Sequence, residues 1–235
     1  MYSYNQKHNL RNGWNNTDGA DDNNSWNCGF EGETNDPNIN ALRVKLIKNA
    51  FATLMCSRGA ALFLSGDEFC NTQFGNNNPY CQDNITSWLD WSRKEKYSDV
   101  FEFFKYMIAF RKRFHVITKN RRECTCTLPP ESIHSAQPWK TDFNGESRMV
   151  AVMYAGAAGD DPARDEIVYF AINAHWESCD VELPGLPTGY VWKLYVDTGK
   201  NADKVICEHS NILLHDRRIK MQGRSVIALV AEKLW

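Results

Sequence analysis

Apolar side chains recur at helical spacing in two stretches of the chain. In residues 38–57 these are Ile39, Leu42, Leu46, Ala50, Phe51 and Leu54. Asp36 and Pro37 precede this stretch as an N-cap and a first helical residue, and Gly59 follows it, so the pattern predicts an amphipathic helix. A second helix is predicted over residues 95–114, with an apolar stripe of Val100, Phe104, Met107, Ile108 and Phe114.

A short run of consecutive apolar residues, Ala60–Leu64, separates the first helix from a polar loop. A continuous run of this length after a helix indicates a strand buried on both faces, as in a parallel sheet. After residue 116 the pattern changes to short segments separated by turn residues. These predicted strands are Met149–Tyr154, Glu166–Ile172, Asp180–Leu183, Val191–Val196, Asn211–Leu214 and Arg224–Val230. We therefore expect two domains, residues 1–115 and a self-contained antiparallel β-sandwich over residues 116–235.

Composition narrows the class of function. Lys and Arg total 27 against 29 Asp and Glu, a formal net charge of -2, and no basic patch stands out. Nucleic acid is therefore not an expected partner. No apolar run approaches the ~20 residues that cross a bilayer, and the N-terminal residues do not resemble a signal peptide. We expect a cytoplasmic protein with no membrane partner.

The eight cysteines are scattered along the chain. In a chain of this length without a secretion signal, this pattern predicts free thiols rather than disulfides. Only Cys124 and Cys126 lie close together, and a C-x-C pair by itself is a weak metal signal. The cysteines therefore give no strong indication of a metal site.

Two polar loops, residues 1–37 and 69–92, carry long motifs of unusual composition. The motifs are Tyr4–Asn9, Asn15–Gly19, Ser25–Gly29, Leu64–Phe69, Gly75–Asn84 and Trp88–Trp91. Together they resemble the isoamylase-type glycogen-debranching enzymes, glycoside hydrolases of the α-amylase superfamily. The resemblance extends over the whole chain, and it is strongest over residues 1–92.

The resemblance implies a fold of class α/β plus all-β. Residues 1–115 would be the C-terminal portion of a (β/α)8 TIM barrel, its last helix–strand–helix unit with long loops, and the sandwich would follow. A complete barrel takes roughly 250 residues. The resemblance also implies that the parent protein hydrolyses α-1,6-glucosidic branch linkages of glycogen or limit dextrin with retention, without a cofactor. We expect the incomplete barrel surfaces to cause self-association.

The family's catalytic carboxylates would lie upstream of Tyr4, and His215-Asp216 is not the family's His-Asp pair because it falls in the sandwich. A retaining glycosidase needs two carboxyl groups about 5–5.5 Å apart. Asp67 and Glu68 are adjacent and form a poor pair, because neighbouring strand residues point to opposite sides. We therefore predict that the isolated chain has no catalytic residue. The alternative is a non-catalytic glucan-binding or scaffold fragment.

The residue types of the two loops suit sugar binding. Amides and carboxylates bind sugar hydroxyls, and aromatic rings pack on the C–H faces of sugars. The candidate substrate-binding residues are His8, Asp67, Asn78, Tyr80, Gln82, Asp83 and Asn84. His8 either lines the pocket or ties down its own loop. Asn76 and Asn77 are expected to form turns. Trp88 and Trp91 are expected as core anchors, and His175 and Trp176 as structural residues.

Overall fold

The computed structural model describes residues 3–118, 127–141, 144–158 and 161–234. In this part of the chain the α-helices are α1 (Pro37–Cys56), α2 (Arg93–Lys96) and α3 (Ser98–Arg113). The strands are β1 (Glu131–His134), β2 (Met149–Ala158), β3 (Asp161–Asn173), β4 (Cys179–Glu182), β5 (Tyr190–Asp197), β6 (Leu213–Leu214), β7 (Arg218–Met221) and β8 (Ser225–Lys233).

Helix α1 confirms the first predicted helix and its N-cap. The Asp36 carboxylate accepts hydrogen bonds from the amides of Asn38 (2.8 Å) and Ile39 (3.3 Å). These are donors that the first turn of a helix leaves without an internal partner. Pro37 takes the first helical position, where its missing N–H costs nothing. Phe51 is one of several apolar residues that the C-terminal half of the helix buries.

The second predicted helix is present but divides at Tyr97, whose φ of -115° and ψ of 38° leave the helical region and separate α2 from α3. Arg111 near the end of α3 donates hydrogen bonds to the carbonyl oxygens of Met55 (2.8 Å), Ser57 and Gly59. These carbonyl groups lie at the end of α1 and just after it, where no helical N–H group is available to bind them. The cationic C-terminal end of α3 therefore has a structural role.

The predicted buried strand Ala60–Leu64 is wrong: the segment forms no strand. Leu62 is 87% exposed and Leu64 is 62% exposed. A strand of the buried parallel type requires a hydrogen-bonded neighbour and a covering layer on each face. Among the described residues, every strand begins after residue 130 and pairs antiparallel, so none supplies that neighbour.

The strands form two antiparallel sheets. The first has the order β1-β2-β3-β8-β5-β6, and the second pairs β4 with β7. Both sheets contribute to one apolar core, in which Val181 of β4 and Met221 of β7 join Tyr169, Trp192 and Leu229 of the larger sheet. Two antiparallel sheets over a shared core confirm the sheet type predicted for this part of the chain.

Two short strands were missed by the strand predictions. The strands β1 and β7 have four residues each and few apolar positions, Ile133 in β1 and Ile219 and Met221 in β7, so their local signal is weak. Predicted strand Asn211–Leu214 shrinks to β6, because Asn211 adopts a left-handed conformation with φ 48°. The four longer predicted strands are all present, and the predicted strand Asp180–Leu183 corresponds to β4.

The described chain divides into two compact units. The first unit comprises residues up to Lys48 together with Leu62–Phe104, and the second comprises Asn49–Ala61 together with residues from Lys105 onward. The division falls within α1 and α3. The two-domain boundary near residue 116 stays a proposal, and expression of residues 116–235 alone, followed by thermal melting, tests it.

The six described cysteines are free thiols, and Cys124 and Cys126 lie outside the described residues. Burial raises the pKa of Cys56 and Cys70 to about 12, with smaller charge effects from Arg111 and Arg93 respectively, so both thiols are protonated at neutral pH. In the part of the chain that the structure covers, no helix has both the length and the apolar character that a membrane span requires.

Candidate functional site: a loop pair with an exposed aromatic and carboxylate group

Two loops of the first unit are joined by side-chain amides. The first loop comprises residues 3–36, and the second loop comprises residues 66–91. Asn9 donates from Nδ2 to Asn77 Oδ1 (2.7 Å), and its Oδ1 accepts from the Asn77 amide (3.0 Å). Asn9 is fully buried, so these two bonds replace water for its side-chain amide. The pair fixes the register of one loop on the other.

Asp18 extends this connection toward the candidate sugar-binding residues. Its Oδ2 accepts hydrogen bonds from Asn12 (2.7 Å) and Asn78 (2.9 Å). These two bonds lower the pKa of Asp18 and keep it ionised at neutral pH. Asn12 Oδ1 accepts in turn from Asn76 (2.8 Å) and Gln82 (3.0 Å). Asn78 and Gln82 are therefore held by the first loop through part of their hydrogen-bonding capacity.

His8 is bound to its own loop through its ring. Its Nε2 lies 2.9 Å from Glu31 Oε1, and its backbone amide donates to the Gly75 carbonyl oxygen (2.8 Å). The Tyr4 ring packs edge-on against the imidazole, with ring centroids 5.2 Å apart. The sequence left two roles for His8, lining the pocket or tying down its own loop. The geometry accounts for the second role. Contact with sugar stays a prediction.

Glu31 accepts four hydrogen bonds from the first loop. The donors are the amides of Asn5 (2.8 Å) and Gln6 (3.2 Å), Asn27 Nδ2 (3.0 Å) and the His8 ring. Desolvation alone would raise the pKa of this carboxyl, but the bonds from His8, Asn5, Asn27 and Gln6 outweigh it and hold the pKa at about 2. The charged form of Glu31 therefore closes the first loop.

This low pKa predicts an acid-labile loop. The folded-state pKa lies below the roughly 4.3 of an unfolded Glu, so the stabilisation is complete above about pH 4.3. It is lost as the pH falls toward about 2. An NMR titration of the Glu31 carboxyl carbon, with Glu31→Gln as the variant and the exposed Glu146→Gln as the control, measures this. A midpoint near 4.3 in the folded protein would contradict the prediction.

The far end of the second loop presents aromatic and carboxylate groups to solvent. Tyr80 is 87% exposed and Trp88 is 55% exposed. Trp88 Nε1 donates to Asp83 Oδ1 (2.9 Å), which fixes the indole and the carboxylate beside each other. The Asn84 side chain bridges Gln82 Oε1 (2.7 Å) and the Thr86 amide (2.9 Å). Tyr80, Asp83 and Trp88 are called the exposed cluster below.

The interpretation of Trp88 and Trp91 as core anchors is wrong, because Trp91 is 64% exposed and Trp88 is also open to solvent. The Trp91 ring lies 5.1 Å from that of Phe69 between centroids. The motif Trp88-Leu89-Asp90-Trp91 lies in the turn that leads into α2, not in a strand or helix with a buried face. The motif alone does not distinguish an exposed turn from a buried element.

Asp67 and Glu68 bind the backbone of their own turn. Asp67 Oδ2 accepts from the Leu64 amide (3.0 Å), and Glu68 Oε2 accepts from the Gly66 amide (2.8 Å). Desolvation raises the pKa of Asp67, and the bond from Leu64 opposes that shift. Each carboxylate thus has a local structural partner, and contact of Asp67 with substrate stays a prediction.

The second unit contains a Ser–His pair, but its hydrogen bonding does not suit nucleophilic catalysis. Ser132 Oγ lies 2.9 Å from His134 Nε2, while His134 Nδ1 accepts from the Trp139 amide (2.8 Å). The neutral ring therefore carries its proton on Nε2 and donates to Ser132, so it is not placed to remove the serine proton. Among the described residues, no group of three or more His, Cys, Asp or Glu side chains is arranged to hold a metal ion.

The second unit belongs to a known domain class. Residues 132–228 match the family model described as "Isoamylase 1-3, C-terminal". The solved pullulanase from Bacillus acidopullulyticus has the same fold over 84% of this chain and 21% of its own, with a TM-score of 0.61 and 22% identity. The fold of this chain is thus shared with that solved protein, and residues 132–228 fit the isoamylase C-terminal family model.

Curated relatives match most of the chain. These matches confirm the resemblance to isoamylase-type debranching enzymes. A glycogen operon protein GlgX homolog of Mycobacterium tuberculosis is 37% identical over 217 residues, which cover 84% of this chain and 30% of the relative. Isoamylase 1, chloroplastic, of Oryza sativa subsp. japonica is 39% identical over 86% of this chain and 24% of its own length. The chain spans about a quarter to a third of these curated relatives.

Proposed function

We propose that the chain is the glucan-contacting, non-catalytic C-terminal part of a hydrolase that cleaves α-1,6 branch linkages of glycogen or related α-glucans. The observation that carries this proposal is the exposed cluster. An aromatic ring and a fixed carboxylate face solvent together, which is the pairing that sugar faces and hydroxyls require. The names of the relatives support the substrate class, and a pullulanase from Anoxybacillus was solved in complex with maltotetraose.

Residues 1–115 are proposed to be the last part of a (β/α)8 barrel, with α1, the segment Ala60–Leu64 at the position of the barrel strand, and α2–α3 in that order. Active sites of such barrels lie at the loops that follow the strands. The second loop follows this segment directly, which suits a glucan-contacting role. A cytoplasmic location stays a proposal.

Catalysis is assigned to the remainder of a longer protein. The carboxylates of the second loop and the turn after it are held by local donors: Asp67 by Leu64, Glu68 by Gly66, Asp83 by Trp88 and Asp90 by Ser92. A retaining acid and nucleophile instead require a pair facing the same linkage. The retaining mechanism of the proposed parent would use carboxylates outside this set.

We expect the purified chain to bind maltohexaose but to release no reducing ends from glycogen or limit dextrin. Tyr80→Ala and Asp83→Ala should each weaken binding roughly tenfold, because a lost stacking or charge-assisted contact is worth about 1–1.5 kcal/mol. Calorimetric titration measures the affinity, and Trp139→Ala, which removes a half-exposed Trp of the second unit, is the matched control. Unchanged affinity in both loop variants would refute the assignment, as would hydrolysis that disappears in Asp83→Ala.

Self-association is proposed through Leu62 and Leu64. Both side chains are largely exposed in a segment outside any sheet, and exposed apolar side chains of this kind favour contact with a second copy. Light scattering on the chain and on Leu62→Lys tests this, and a monomeric wild-type chain at micromolar concentration would contradict it.

A further inference from the structure

The turn between β3 and β4 in the second unit holds a tryptophan out to solvent. Trp176 is 67% exposed. Its indole stacks on the His175 ring, with centroids 4.1 Å apart and an interplanar angle of 26°. One face of the indole is therefore covered by the imidazole, and the other face is open. The sequence analysis expected His175 and Trp176 to be structural residues. That interpretation accounts for His175, but it does not explain why one face of the indole is open to solvent.

The turn that carries Trp176 is fixed by a buried amide. Asn173 is 2% exposed, and its Nδ2 donates to the carbonyl oxygens of Glu177 (2.8 Å) and Gln222 (3.1 Å). Its Oδ1 accepts from the His175 amide (3.0 Å). Two of these bonds close the turn on itself, and the bond to Gln222 ties it to the chain before β8. The backbone that carries the indole is therefore fixed by the fold.

Close backbone packing further fixes this turn. The Arg224 amide donates to the His175 carbonyl oxygen (2.7 Å). A Cβ at Gly223 would lie 2.0 Å from the Trp176 carbonyl oxygen, so the two segments approach as closely as only glycine permits. The Trp176 backbone therefore has little freedom to fold the indole back onto the protein.

Polar groups border the open indole. The Glu177 side chain is 74% exposed, and its carboxylate lies 4.0 Å from His175 Nδ1. The Glu177 amide donates to the same Nδ1 (3.1 Å), so the neutral imidazole carries its proton on Nε2. Ala174, Ser178 and Gln222, the neighbouring exposed positions, are small or polar. The patch thus offers one flat apolar face, with a carboxylate near the imidazole that covers the other face, rather than a broad apolar area.

We infer that Trp176 and Glu177 form a second α-glucan-binding site, separate from the exposed cluster of the first unit. The indole would stack on the C–H face of a glucose ring, and the carboxylate would accept hydrogen bonds from its hydroxyls. A protein partner is disfavoured, because a specific interface buries about 800 Å² on each side and a single ring with polar neighbours does not supply it. The inference rests on the proposed function for its ligand class only.

The test uses the full chain in calorimetric titrations with maltohexaose and in electrophoresis through gels that contain glycogen. Wild-type chain should show two binding sites per molecule. Trp176→Ala should show one site and a glycogen affinity lower by about fivefold to tenfold, since a lost aromatic contact has roughly that value. Trp176→Phe, which keeps a stacking ring, should restore binding. Trp139→Ala is the matched control, and circular dichroism establishes that each variant is folded.

The outcomes separate this site from the proposed function. Loss of one site in Trp176→Ala and of the other in Tyr80→Ala supports both. Full retention of both sites in Trp176→Ala overturns the inference and leaves the exposed cluster in place. Full retention in Tyr80→Ala with loss of all binding in Trp176→Ala supports the inference and overturns the cluster. A wild-type chain that binds no glucan overturns both.

Discussion

Trp192→Ala should lower the free energy of unfolding by about 3–5 kcal/mol, the usual cost of truncating a large buried aromatic side chain. Trp192 is fully buried in the core that the two sheets share, and its ring lies 5.8 Å from that of Tyr169. Its Nε1 donates to the Pro184 carbonyl oxygen (2.9 Å), so truncation leaves a cavity and an acceptor without its donor. Urea unfolding followed by circular dichroism measures the loss.

Two variants separate these contributions. Trp192→Phe keeps most of the apolar volume but removes the donor, and it should cost about 1–3 kcal/mol. Trp176→Ala removes an indole that is 67% exposed, and it should change the free energy of unfolding by about 0.5 kcal/mol or less. Equal losses for Trp192→Ala and Trp176→Ala would show that Trp192 is not part of a packed core.

Gly75→Ala should separate the two loops of the candidate site. Gly75 has φ 79°, and a Cβ there would lie 2.6 Å from His8 Cδ2 and 2.7 Å from Tyr4 Cδ1. The substitution therefore combines left-handed backbone strain with a clash against two rings of the first loop, and we expect a cost of roughly 2–4 kcal/mol. Because the His8 amide binds the Gly75 carbonyl oxygen, glucan affinity should fall with it.

Gly13→Ala is the matched control for this prediction. Gly13 has nearly the same φ, 80°, but a Cβ there meets no atom within 4 Å. Its cost should be the backbone strain alone, about 1–2 kcal/mol. Denaturant unfolding of the two variants, read through hydrogen exchange in the first loop, isolates the clash. Equal effects of the two substitutions would mean that the close approach of the loops at Gly75 is absent in solution.

The helices and the long strands could be predicted because their signals are local. Asp36 and Pro37 mark the start of α1, and its apolar residues recur at helical spacing. Both signals can be read from residues that are close in sequence. The segment Ala60–Leu64 carries an equally clear local signal, yet it forms no strand. A buried strand is stable only with pairing partners elsewhere in the chain, and a local pattern does not report whether they are present.

The candidate site also has a part that the sequence predicts and a part that it does not. The motifs indicated Asn78, Gln82 and Asp83 as candidates, because their residue types suit sugars. Asn12 and Asp18, which hold Asn78 and Gln82, lie 60 or more residues away from them in sequence. Their Asn- and Asp-rich composition indicated turns and nothing about partners. Pairing between distant loops is a property of the tertiary fold, so it could not be predicted from one sequence.

Hydrogen exchange of the chain with and without maltohexaose tests the central claim most directly. Peptides that cover Tyr80 and Trp88 should exchange more slowly in the presence of the sugar, since a ligand held on the exposed cluster stabilises the second loop. Peptides of the first loop that contain Asn9 and Asp18 should follow, because they are bonded to it. Unchanged exchange in both loops at a saturating sugar concentration would contradict the assignment of this loop pair as a glucan-contacting surface.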